Sequence, residues 1–454
     1  MKDYAGRNAL VIGLARSGLA AARLLHSLGA RVTVTDTKSE EQLGAIVRQL
    51  PVRVERFLGG HGAVRLADFD LAVISSGVPW DAPFPRAVRE AGIEMISEIE
   101  LAFTRLSAPV IAVTGSNGKS TTTTLIGEIL KAAGRNVFVG GNLGAPLCDA
   151  AGGDYEWIAA EVSSFQLEGI KTFRPRVALI LNITPDHMDR HGGMENYAAL
   201  KARVAGNMGE GDTLILNAGD PLTRGLGGGR ARVWWFGQSA PHGEGAWAGA
   251  DGVASIRAGG LAGALFGPAD VRIKGRHNVE NAMAAALACV AAGAPLSAIK
   301  QALASFGGLP HRMELVAAID GVAFINDSKA TNPEAAIKSL EGFDRDVTLI
   351  AGGSDKGLAF GALAEVIRRK AKGVVLIGET APLIEEALGD FQPRARVSTL
   401  DEAVALAAGW SAAGDTVLLA PACASFDMFN NYEHRGAMFR EAVARLARER
   451  EKCR

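Results

Sequence analysis

The sequence predicts an α/β protein of three domains, each built on a largely parallel sheet, and three observations carry that prediction. Short apolar runs alternate with amphipathic segments along most of the chain, the pattern of strands joined by crossover helices. A length of 454 residues exceeds one ordinary core and points to several domains. Gly307-Gly308-Leu309-Pro310 reads as a hinge. The expected domains are 1–95, 96–306 and 307–454.

Taken in order, the first series has strands at 9–13, 31–35 and 71–75, a helix at 17–28 and a proline-rich turn at 78–85. The second opens with a strand at 109–114, continues through a helix at 119–133 and strands near 157–161 and 177–182, and closes around Phe306. A glycine-rich, weakly periodic stretch at 224–269 predicts irregular β-structure or a surface insertion. The third series places strands at 322–326, 347–351, 374–377 and 416–420, with helices between.

Composition narrows the function classes. Lys plus Arg (48) nearly cancels Asp plus Glu (49), so no global positive field holds a nucleic acid and any phosphate must be bound locally. Cys148, Cys289, Cys423 and Cys453 are scattered, which fits a reducing cytoplasm better than a disulfide framework. The start of the chain passes from NALVIG straight into a glycine turn, without the regions of a secretory signal. The most apolar stretch, 282–295, is too short to span a bilayer and reads as a buried helix. A cytoplasmic protein without membrane insertion is expected.

The chemistry concentrates in loops that follow strands. In TGSNGKST (114–121), Gly115 and Gly118 follow a strand, and Lys119, Ser120 and Thr121 open a helix. That order suits phosphate: backbone N–H groups approach the anion, the helix start adds positive potential, Lys119 neutralises charge and a hydroxyl can serve Mg²⁺. The strict phosphate-loop pattern fails at Val113, and the bland alternative is an ordinary strand-to-helix turn. Glu161 opens EVSSFQLE after the next strand, and His187 lies in NITPDHMDR (182–190) after another; both are candidates for a metal, His187 alternatively for capping or packing. Lys201, on a predicted helix at 195–206, reads from pattern alone as a solvated residue.

NDSKATN (326–332), GGSDKG (352–357) and PACASFD (421–427) each follow a strand of the third series. Lys329 and Lys356 supply cations there and Thr331 and Ser425 hydroxyls, the equipment for an anionic small substrate. Gly13–Gly18 with Asp36 imitates a dinucleotide fingerprint, but Ala15 stands where the second glycine belongs. Asp36 could anchor another nucleotide, or the turn could hold no ligand.

Together with HNVENAMAA (277–285) and GLPHRME (308–314), these motifs resemble the Mur ligases of peptidoglycan synthesis over residues 8 to 440. The resemblance implies an N-terminal Rossmann-like UDP-binding domain, a central P-loop-type ATPase domain and a mobile C-terminal Rossmann-like domain that takes the amino acid. It implies ATP-dependent amide formation between UDP-N-acetylmuramoyl-L-alanine and D-glutamate by a monomer, with sites for two Mg²⁺. Gly115, Ser116, Asn117, Gly118, Lys119, Ser120, Thr121, Asn278 and Arg312 match nucleotide contacts. Ser120 or Thr121 with Glu161 would serve one Mg²⁺, and His187 with Lys201, as a carbamate, the second. Asp36, Thr37, Lys38, Ser76, Gly77, Asn142 and Ser163 match contacts to the UDP-substrate, with Lys38 replacing the commoner Arg. Lys329, Thr331, Lys356, Ser425, Phe426 and Tyr432 match the amino-acid pocket, Tyr432 standing where Phe is common.

Three rivals are distinguishable. Folylpolyglutamate synthase shares the central loop but lacks a UDP-binding first domain. A dehydrogenase would bind nicotinamide at Gly13–Asp36. A nucleotide switch would not couple phosphate release to a second substrate.

Overall fold

The computed structural model describes residues 3–186, 188–227, 229–249, 251–273, 275–344, 346–355 and 357–452. His187 and Lys356 lie outside the described residues. The chain divides into two compact units, Met1–Phe306 and Gly307–Arg454.

The first unit holds two sheets. One is fully parallel, in the order β3-β2-β1-β4-β5, from β1 (Asn8–Ile12), β2 (Arg31–Asp36), β3 (Glu55–Leu58), β4 (Leu71–Ile74) and β5 (Glu94–Ser97). β1 stands at the centre, with its sequence neighbours' crossovers on either side, so the Gly13 turn leaves at the point where the winding reverses.

The second sheet has nine strands: β6 (Val110–Thr114), β7 (Val137–Gly141), β8 (Trp157–Glu161), β9 (Val177–Ile180), β10 (Thr213–Asn217), β11 (Arg232–Gly237), β12 (Gly245–Ala248), β13 (Ala254–Ala258) and β14 (Leu261–Phe266). Their order is β14-β13-β12-β11-β10-β9-β6-β8-β7, and β6 lies between β8 and β9. Parallel pairing from β7 through β12 gives way to antiparallel pairing in β12-β13-β14. The glycine-rich stretch is therefore an ordered extension of the sheet. Trp234 Nε1 donates to Glu244 at 2.8 Å, and the same carboxylate accepts from Gly259 N at 2.8 Å, holding the extension to its parent strand.

One core runs through both sheets of this unit, from Val11 and Leu25 through Ile99 and Leu147 to Ile180 and Leu214. The join also has a polar anchor: the buried carboxylate of Glu100 accepts from the backbone N–H groups of Lys171, Thr172 and Phe173 and from the Thr172 hydroxyl. Such a carboxylate is stabilised by hydrogen bonds that replace water.

The second unit carries the third sheet, in the order β15-β16-β20-β17-β18-β19, with β15 (Glu314–Ile319), β16 (Val322–Asn326), β17 (Val347–Ala351), β18 (Ala371–Leu376), β19 (Arg394–Arg396) and β20 (Thr416–Leu419). Only the β15-β16 pair is antiparallel. Val347, Leu349 and Ala351 face one core, and Ile350 with Val375 and Val417 faces the other. Alternation with both faces covered explains why these strands read as unbroken apolar runs.

No helix among the described residues is long and apolar enough to cross a membrane. The 282–295 stretch belongs to the buried helix Arg276–Ala291 and the turn after it.

Candidate functional site

The phosphate loop leaves the carboxyl end of β6 and enters the helix Lys119–Ala132. Gly118 at the helix N-cap makes no side-chain cap and the first turn carries no acidic residue, so the first N–H groups keep the positive end of the helix dipole. The loop is held from β9: Ser116 N donates to Asn182 O at 2.9 Å, Asn117 N to Asn182 Oδ1 at 2.8 Å, and Asn182 Nδ2 to Asn117 O at 3.1 Å. Ser116 Oγ adds contacts to Thr184 O (2.9 Å) and Tyr197 Oη (3.2 Å).

Gly118 is a glycine by necessity. Its φ is +83°, and a Cβ there would sit 2.3 Å from Asn281 Oδ1 on the helix Arg276–Ala291. Gly118→Ala is expected to cost about 1–3 kcal/mol of stability and to weaken ATP binding. A thermal melt and an ATP-analogue titration check this; an unchanged Tm with full affinity would show that the loop can reorganise.

Two lysines converge on one carbonyl. Lys119 Nζ donates to Gly115 O and Ser116 O, each at 2.8 Å, and Lys201 Nζ donates to the same Gly115 O at 2.8 Å. Lys201 is 1% exposed and lies over the Tyr197 ring at 4.3 Å, which corrects the solvated-face reading. Periodicity failed here because the helix Met194–Ala202 packs a polar face inward, toward the loop. Burial, then the Lys119 charge, pushes the Lys201 ammonium down to about 7, against the pull of Asp186.

Glu161 ends β8, in register with Val113 of β6 and Gly141 of β7. Oε1 accepts from Asn142 Nδ2 at 2.7 Å, while Oε2 is buried with no hydrogen-bond partner among the described residues. A buried carboxylate oxygen left open beside a phosphate loop, with the hydroxyls of Ser120 and Thr121 at the helix start, fits a hard divalent cation.

The first sheet presents its loops within the same unit. Asp36 accepts from Leu14 N at 2.6 Å and Lys38 N at 2.8 Å, so its carboxylate locks the Gly13 turn to the end of β2. Thr37 and Lys38 are exposed beyond it, and Ser76 and Gly77 follow β4. Arg16 reaches Gly144 O at 3.3 Å, and Arg190 reaches Val78 O at 3.2 Å, tying these loops to the central sheet. Arg190 also lies over Phe165 at 3.7 Å, and His191 stacks between Phe165 and Tyr197. Ser163 caps a short helix through Gln166.

In the second unit, the loops after β16, β20 and β17 leave three adjacent strands. Ser354 N donates to Ala424 O at 2.9 Å, and Ser328 Oγ to Tyr432 O at 2.8 Å. Lys329 lies 5.8 Å from the centre of the Tyr432 ring, so the tyrosine offers its π-face as a phenylalanine would. Ser425 is buried and Phe426 is 68% exposed. Thr331 and Arg312 are half-buried.

Sequence reading assigned no role to Asn281, Tyr197 and Arg435. Asn281 is three residues from Asn278 and donates to its Oδ1 at 3.2 Å; Tyr197 is four residues before Lys201. Helical spacing could have found both. No local signal marks Arg435.

Comparisons with known proteins agree along the chain. Residues 7–97 match the model of a Mur ligase MurD-like N-terminal domain, 113–289 a Mur ligase middle domain and 311–423 a Mur ligase glutamate ligase domain. A protein of Pelotomaculum thermopropionicum named UDP-N-acetylmuramoylalanine--D-glutamate ligase is 46% identical over 98% of this chain and 99% of its own. A protein of the same name from Koribacter versatilis is 44% identical over 99% and 100%. Among solved structures, UDP-N-acetylmuramate-alanine ligase from Thermotoga maritima (20% identity, TM-score 0.56) covers 96% of this chain and 99% of its own. MurF from Acinetobacter baumannii (18% identity, TM-score 0.58) covers 95% and 93%. Both share the fold.

Proposed function

The chain belongs to the Mur ligase family, and on that premise we propose that it joins D-glutamate to UDP-N-acetylmuramoyl-L-alanine with ATP, in peptidoglycan precursor synthesis. The observation that carries the chemistry is the convergence of Lys119 and Lys201 on Gly115 O at an uncapped helix start.

A free carboxylate is a poor electrophile because its leaving group would be oxide. Phosphoryl transfer from ATP makes an acyl phosphate and ADP. The glutamate amine then adds to the acyl carbon, and the tetrahedral intermediate expels phosphate, leaving the amide. Positioning and charge neutralisation supply most of such a rate. Lys119 and the helix start face the β- and γ-phosphates, with Gly115, Ser116, Asn117, Asn278 and Arg312 as further nucleotide contacts.

Glu161 with Ser120 or Thr121 would hold one Mg²⁺, and His187 with Lys201 would hold a second. Bound there, Mg²⁺ supplies neutralisation of phosphoryl charge. For Lys201 to serve, its neutral amine must take up CO₂ and release a proton, becoming a carbamate. The carbamate nitrogen keeps one N–H for Gly115 O, and the change removes the repulsion between two cations on one carbonyl.

Asp36, Thr37, Lys38, Ser76, Gly77, Asn142 and Ser163 would bind the UDP-substrate. Lys329, Thr331, Lys356, Ser425, Phe426 and Tyr432 would bind the amino acid. The functional domains are 1–95, 96–306 and 307–454, in a cytoplasmic monomer. Phosphate release that requires UDP-N-acetylmuramoyl-L-alanine and D-glutamate together is the expected result. L-glutamate, D-aspartate and L-lysine, offered separately, should not replace D-glutamate; release without the UDP-substrate would instead indicate a nucleotide switch.

A further inference from the structure

The three loops assigned to the amino acid meet on one buried cation. Arg435, on the helix Tyr432–Lys452, has no solvent exposure and is the largest of the fully buried side chains among the described residues. Its Nε donates to Ser328 Oγ at 3.0 Å and its Nη2 to Ser328 O at 2.9 Å, both in the loop after β16. Its Nη1 donates to Cys423 O at 3.1 Å and Ala424 O at 3.2 Å, both in the loop after β20.

The loop after β17 comes close to the same group. A Cβ at Gly353 would lie 3.2 Å from Arg435 Nη1 and 2.1 Å from Ala424 O, so at φ +152° only glycine lets the loops close this tightly. Among the described residues, the four hydrogen-bond acceptors of Arg435 are neutral oxygens. The acidic side chain whose charge reaches it, Asp427, has its oxygens engaged by the Ser354 hydroxyl and Glu379 N. Burial pushes the guanidinium down to about 10.

A fully buried charge normally has a counter-ion, because its desolvation is otherwise strongly unfavourable. The hydrogen bonds here engage four of its five N–H groups, and Asp427 offsets the charge without a hydrogen bond to it among the described residues. An anionic ligand held by the same loops would add to that compensation.

We propose that Arg435 is the positioning residue of the amino-acid pocket. It holds the loops at 326–332, 352–357 and 421–427 in register, and its buried charge makes the pocket select an amino acid with a carboxylate side chain. The inference rests on the reading that these loops take D-glutamate.

The test compares wild-type enzyme with Arg435→Met and Arg435→Lys, measuring KM for D-glutamate and for ATP and the preference for D-glutamate over D-glutamine. Arg435→Met should raise the D-glutamate KM at least about tenfold and narrow the preference by a similar factor, with the ATP KM within about twofold. Arg435→Lys keeps the charge but cannot reach all four oxygens, so its KM should rise while the preference stays within about threefold of wild type. Unchanged preference in Arg435→Met overturns the proposal, as does a parallel rise in both KM values. If Arg435→Met does not fold, loss of preference in Arg435→Lys overturns it. A wild-type enzyme that releases no phosphate with D-glutamate would instead refute the functional reading beneath it.

Discussion

Lys119→Ala is expected to lower phosphate release by about 10³-fold or more while leaving UDP-substrate affinity within about threefold. The lysine opens the helix at the phosphate loop, and its ammonium bridges Gly115 O and Ser116 O. Charge that develops between the β- and γ-phosphates would lose its nearest cation. The loop itself should persist, because Asn182, Thr184 and Tyr197 hold Ser116 and Asn117 independently of the lysine. Asp36 and the loops after β1 and β4 belong to another sheet, so UDP-substrate binding should survive. Calorimetric titration of that substrate alongside the phosphate assay checks both halves; simultaneous loss would mean that Lys119 only maintains the loop.

Lys201→Ala is expected to be impaired by about 10²–10³-fold and partly rescued by formate or acetate. The rescue follows from the cavity left by a side chain that is 1% exposed, which a small carboxylate can enter to replace the carbamate. Unimpaired activity in the variant would refute a carbamylated Lys201. The pH dependence has a definite sign. Only the neutral amine takes up CO₂, so with its proton lost near pH 7, uptake should fall as pH drops below about 7 and be recovered in part by bicarbonate. For stability, the folded value lies below the ordinary 10.5, so between the two the unfolded chain binds the extra proton. The contribution of Lys201 to stability therefore rises with pH across that window, and it should be absent from the melting profile of Lys201→Ala.

Strand positions were the most legible part of the fold. The runs at 157–161, 322–326 and 347–351 coincide with β8, β16 and β17, because strands covered on both faces must be continuously apolar. Edge strands carried less signal. β3 (ERFL), β7 (VFVGG) and β19 (RAR) went unseen, since an edge strand is only partly covered and its residues can be polar. At 224–269 glycine hid the pattern, yet Trp234, Phe236, Ala246 and Ile256 are buried along an ordered run of strands.

By itself the sequence determined the phosphate loop, Glu161 and the three lysine- and hydroxyl-bearing loops as chemical equipment, because each is a contiguous motif after a strand. Tertiary structure alone decided which groups share a site and in what state. Lys201 became a buried partner of Gly115 O, and Asp36 became a lock on its own turn. Arg435 became the link between the loops at 326–332 and 421–427, beside Gly353 of a third. The physical reason is that strand order brings β16, β20 and β17 side by side, and burial then sets charge and hydrogen bonding at distances that no local pattern encodes.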